Sequence, residues 1–124
     1  MTQIATHTKA PSQTGPLMNL IITLLTPIFL GVTAGDISLA RTAAQETVNA
    51  YRASSNADLI AIAQIIAFGL AAVGSLSLSM DDDMSLSMTL RLRANAVALN
   101  RSAEQNRRAL QASQALQRTD EAAE

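Results

Sequence analysis

Residues 59–80 read LIAIAQIIAFGLAAVGSLSLSM, and no charged residue stands between Asp58 and Asp81. Sixteen of these twenty-two residues are hydrophobic. A bilayer core is about 30 Å thick, so a helix of about 20 mostly apolar residues crosses it. Leu, Ile, Val and Phe each favour insertion by roughly 0.3–0.6 kcal/mol at a helix centre, and one charge opposes it by about 2.5–3.5 kcal/mol. The segment holds ten of the former and none of the latter, although Gln64, two Gly and three Ser weaken the sum. Ala67, Ala71 and Ser75 follow one another at i+4, a row of small residues that lets a second helix approach closely.

A second uncharged gap separates Lys9 from Asp36. Within it, residues 17–34 read LMNLIITLLTPIFLGVTA, twelve of the eighteen being hydrophobic. Leu24, Leu25, Ile28, Phe29 and Leu30 cover most of a helical wheel, and a helix that is apolar all round is buried on every side or lies in lipid. Pro27 kinks such a helix and frees a carbonyl, which the Thr23 hydroxyl is placed to cover. The same stretch also fits the apolar core of an export signal, with Lys9 ahead of it and cleavage after Ala34. The polar residues 1–16 read as a flexible tail.

Between the two gaps, Gly35 suits a helix C-terminus and Asp36 a helix N-cap. Ile37, Ala40, Ala44, Val48 and Tyr51 then repeat at three and four, which predicts an amphipathic helix over 36–53. Ser54, Ser55 and Asn56 break the chain, and Asp58 falls in the first turn of the apolar helix expected over 58–80. Residues 75–93 admit two readings. Their period-two alternation around Asp81–Asp83 suits a hairpin, whereas their Leu and Met content and helical neighbours favour a helix that aligns Leu76, Met80, Met84 and Met88. The region 81–118 is expected to be helical. From Leu92, the positions Ala96, Leu99, Ala103, Asn106, Leu110, Ser113 and Gln117 form a weak heptad seam. Residues 119–124 read as an acidic, frayed end.

The fold class that follows is all-α: two apolar, transmembrane-type helices, an amphipathic connecting helix and a long C-terminal helix. Composition excludes several function classes. Nine Lys plus Arg against ten Asp plus Glu, and 2% aromatics, leave no basic, stacking surface for nucleic acid. With no Cys and only His7, there is no thiolate site and no His-centred catalysis. No small-molecule substrate and no cofactor is indicated. The Asp81, Asp82, Asp83 triplet is the sharpest charged feature; carboxylates suit Ca²⁺ or Mg²⁺, but a solvated charge run is the plainer reading. Arg91, Arg93, Arg107 and Arg108 are weak candidates for contact with lipid headgroups or a partner. The expectation is a bacterial-type, non-enzymatic inner-membrane protein with both termini in the cytoplasm. It acts as a structural or interaction subunit through self-association or a protein partner. The alternative is a soluble or exported helical oligomer that binds a partner through its Ala/Leu seam.

Overall fold

The structure, a computed structural model, describes residues 15–123. The tail expected over 1–16 lies outside these residues except for Gly15 and Pro16, and Lys9 lies outside them altogether. The described residues contain four helices and no strand: α1 (Pro16–Leu30), α2 (Ile37–Asn49), α3 (Asn56–Leu78) and α4 (Leu86–Ala123). The chain divides into two compact units, with the boundary inside α3 between Ala63 and Gln64.

In the first unit α1 begins with Pro16 in its first turn, where a missing N–H costs nothing. It continues through Pro27. The Thr23 hydroxyl does not cover the carbonyl that Pro27 frees: it donates to Asn19 O at 2.8 Å, four residues back. Among the described residues only α3 is long and apolar enough to cross a membrane, so the expected pair of spanning helices is not confirmed. The reason is local. α1 stops at Leu30, because Gly35 N–H reaches back to Leu30 O at 3.0 Å and Ala34 and Gly35 take φ of 54° and 82°. That left-handed turn closes the helix after 15 residues, about 22 Å of length. Asp36 then caps α2, its carboxylate accepting from Leu39 N–H at 3.0 Å.

α1 packs on α2. Met18, Ile21, Ile22 and Leu25 are buried on α1, and Ala40, Ala44 and Val48 on α2. The two Ala have no exposed surface, which lets the helices approach closely. Ile37, expected on the buried stripe, is exposed because it opens the helix beside the turn. Across this hairpin Arg41 donates to Thr23 Oγ1 at 3.1 Å and to Asn19 Oδ1 at 3.4 Å. α2 ends at Asn49 rather than running to 53. The next turns tighten to i→i+3 bonds, Tyr51 N–H to Val48 O and Arg52 N–H to Asn49 O, and Arg52 sits at φ 57°.

α3 opens on a reciprocal cap. Ser55 O accepts from Leu59 N–H, and Ser55 Oγ from Asp58 N–H at 3.1 Å. The Asp58 carboxylate in turn accepts from Ser54 N–H at 3.1 Å and Ser54 Oγ at 2.9 Å, and Asp58 is buried. At its other end the helix unwinds through Met80 N–H to Ser77 O and Asp81 N–H to Leu78 O. Residues 75–93 are therefore neither one continuous helix nor a hairpin of strands. A loop interrupts them, shaped by Asp83 N–H donating to Asp81 Oδ1 at 2.9 Å, and Ser85 re-caps the chain by accepting from Met88 N–H at 3.1 Å. The expected Leu76–Met80–Met84–Met88 ridge is split by that loop.

In the second unit α3 buries Ile65, Ile66, Ala72 and Ser75, with Ser79 buried just beyond its end. Every member of the α4 seam from Leu92 to Gln117 is buried or half-buried, with Ala96, Ala103 and Leu110 most enclosed. Asn95 Nδ2 donates to Ser75 Oγ at 3.3 Å and Arg93 Nε to Ser79 Oγ at 3.4 Å, which ties the start of α4 to the end of α3. The acidic end expected to fray is helical through Ala123, with the Thr119 hydroxyl donating to Ala115 O at 3.0 Å. Ala, Glu and Arg are strong helix formers and carry the helix on. Glu124 lies outside the described residues.

Candidate interaction surface

The residues with chemistry to offer lie apart from the apolar faces. Asp81, Asp82 and Asp83 are exposed in the α3–α4 loop. One oxygen of Asp81 is already engaged by the Asp83 amide. No group of three or more His, Cys, Asp or Glu able to hold a metal occurs among the described residues. Arg91 is exposed on the first turns of α4 and lines an open recess of about 320 Å³ with Met88, Leu92 and Asn95. Arg93 is turned back onto Ser79. Arg107 pairs with Glu104, and Arg108 reaches the same carboxylate at 3.4 Å. Both pairs are substantially exposed and worth only tenths of a kcal/mol each, about 0.2–0.5. The seven candidates thus form no single site: the three Asp share a loop, Arg91 and Arg93 flank the α3–α4 connection, and Arg107 and Arg108 sit four turns further along α4.

What the fold does assemble is uncovered apolar surface. On α1, Leu20, Leu24 and Ile28 lie at i+4 intervals and are 53%, 66% and 42% exposed. The stripe passes into Val32 in the turn. None of the exposed positions on α1 is charged, and the Thr23, Thr26 and Thr33 hydroxyls all donate to carbonyls four residues back. This outer face therefore carries few polar atoms in need of water. On α3, Ile60, Leu70, Val73, Leu76 and Leu78 are exposed. Only 28% of its most apolar 18-residue window is buried. Within the second unit, Gly69, Ala72, Val73 and Leu76 of α3 face Ala96, Val97 and Asn100 of α4 across an open, largely apolar cleft of about 250 Å³.

The periodic reading found the seam of α4 but not this distribution of exposure. The small-residue row Ala67, Ala71, Ser75 proves divided, with Ser75 buried, Ala67 half-buried and Ala71 exposed. The buried row of α3 runs instead through Ile65, Ala72 and Ser75 and continues to Ser79 just past the helix end. Steps of seven, three and four were visible in the sequence, but Ala and Ser fill too many positions for composition to choose between the faces. No protein-family model matches the chain, and no curated protein or solved structure matches it.

Proposed function

We propose that this is a small, non-enzymatic membrane protein whose α3 crosses the inner membrane once, and that it serves as a structural or interaction subunit there. The observation that carries the reading is α3 itself: 23 residues without a charge beyond Asp58, with most of the apolar window left uncovered. At 1.5 Å per residue the helix is about 34 Å long, enough for a hydrocarbon core of about 30 Å. α1, about 22 Å long, is too short to cross beside it. Its uncharged outer stripe of Leu20, Leu24 and Ile28 fits instead a position in the membrane interface, with α2 on its watery side. A single crossing puts the termini on opposite faces of the bilayer, where a pair of spans would have kept both in the cytoplasm. Removal of residues 1–34 as an export signal fits poorly with this hairpin, because Ala40, Ala44 and Val48 would lose the cover that α1 provides.

A second reading has its own support. The contacts of Asn95 and Arg93 with Ser75 and Ser79 favour a helical hairpin in water, and the open cleft beside Val73 and Val97 then favours a soluble oligomer. Extraction of the expressed full-length chain with alkaline carbonate, followed by intact mass, separates the two. Pelleted, uncleaved protein supports the membrane reading. Soluble full-length protein overturns it, and a chain starting at Gly35 would mean export.

A further inference from the structure

We infer that α3 and α4 form a latched hairpin which opens on an anionic lipid surface, α4 leaving so that α3 can enter the bilayer; the inference rests on the single-span reading above. Packed as it is, the pair is not insertable as a unit. α4 carries Arg91, Arg93, Arg101, Arg107, Arg108 and Arg118 against Glu104, Asp120 and Glu121, so α3 cannot enter hydrocarbon with α4 still alongside. The helix destined for lipid and the helix that must stay in water are held together by one interface. Near the α3–α4 loop it includes two long hydrogen bonds, Asn95 Nδ2 to Ser75 Oγ at 3.3 Å and Arg93 Nε to Ser79 Oγ at 3.4 Å. Its apolar part is interrupted by the cleft along Gly69, Ala72, Val73 and Val97, where the two helices do not fill the space between them.

The chemistry of the latch is one-sided. Both donors belong to α4, and both acceptors are serine hydroxyls at the end of α3. Ser79 Oγ already donates to Leu76 O at 2.7 Å, so it keeps a partner when Arg93 leaves. Ser75 has the carbonyl of Ala71 four residues back, the usual partner for a serine hydroxyl inside a lipid-embedded helix. α3 thus loses little when the latch opens, while Asn95 and Arg93 regain water. Arg93, released from Ser79, then joins the already exposed Arg91, Arg101, Arg108 and Arg118 beside anionic headgroups, so opening frees one more guanidinium for that surface. The exposed loop of Asp81, Asp82 and Asp83 is the hinge, bounded by the last turn of α3 and the Ser85 cap of α4.

Because the chain has no cysteine, the latch can be locked cleanly. The full-length Ser75→Cys/Asn95→Cys variant, reduced or oxidised, is mixed with phosphatidylcholine–phosphatidylglycerol vesicles and washed with carbonate. Oxidation is expected to lower the carbonate-resistant fraction by about tenfold, and reduction to restore it, as for a ligand-like constraint that removes the competent state. Equal integration of the oxidised and reduced forms overturns the proposal and leaves the single-span reading standing. Failure of the disulfide to form in water overturns it too, since the paired state would then be absent. A single Asn95→Cys variant gives an independent readout: its labelling by a water-soluble maleimide should quicken when vesicles are added. An unchanged rate in protein that integrates counts against the latch. If the unaltered chain does not integrate at all, the single-span reading falls and the latch with it.

Discussion

Asp58 is 3% exposed, and its carboxylate takes both the amide and the hydroxyl of Ser54 while Ser55 caps its own N–H. That knot sets where α3 begins. Replacing Asp58 with Ala should cost about 1–2 kcal/mol, and Asp58→Asn less because an acceptor remains. Urea unfolding followed by far-UV circular dichroism checks both, and an Asp58→Ala midpoint equal to the parent's refutes the role. Pro27 acts in the opposite direction. Inside α1 it removes one backbone hydrogen bond, and the Thr23 hydroxyl is turned to Asn19 O instead of compensating. Pro27→Ala should therefore raise stability by about 1–3 kcal/mol in the same experiment. At Asp81, Asp82 and Asp83 the geometry is a solvated turn, so replacing all three by Asn should leave melting equally indifferent to added Mg²⁺ or Ca²⁺. A metal-dependent rise in the parent's Tm that the variant lacks would instead assign the loop a cation.

At the scale of elements, much was legible because it is local. The Gly35 turn, the Asp36 cap and the seam from Leu92 to Gln117 each depend on residues within a few positions of one another, and each is visible in spacing or side-chain type. The break before α4 was less legible: Ser85 is one of five serines between 75 and 87, and only its bond from Met88 N–H distinguishes it as a cap. The α1–α2 pair depends on closeness. Ala40 and Ala44 have no exposed surface, so Ala44→Leu should overpack the hairpin and cost about 1–3 kcal/mol. Gln45→Leu, next door and exposed, should cost less than about 0.5 kcal/mol. Equal effects of the two in thermal unfolding would show that this face is not packed.

At the scale of the molecule the question is what covers the outer apolar faces, and Val73 tests it. It is 63% exposed, so Val73→Arg is nearly neutral for a folded chain in water, within about 0.5 kcal/mol. In a bilayer core the same change costs about 2.5–3.5 kcal/mol, and the carbonate-resistant fraction should fall sharply while the protein still folds in detergent. Retained integration of Val73→Arg would remove α3 from the bilayer. The amino-acid order alone determined the all-α class, the two uncharged stretches, the cap at Asp36 and the α4 seam, because period, charge and capping act over a few residues. Only the tertiary structure decided that α1 stops short of a membrane's width, that α3 leaves one side uncovered while Ser75 and Ser79 meet α4 on the other, and that the seven charged candidates do not converge. Those outcomes depend on which faces of Ala- and Ser-rich helices meet, and residues so small and so frequent mark no face by themselves.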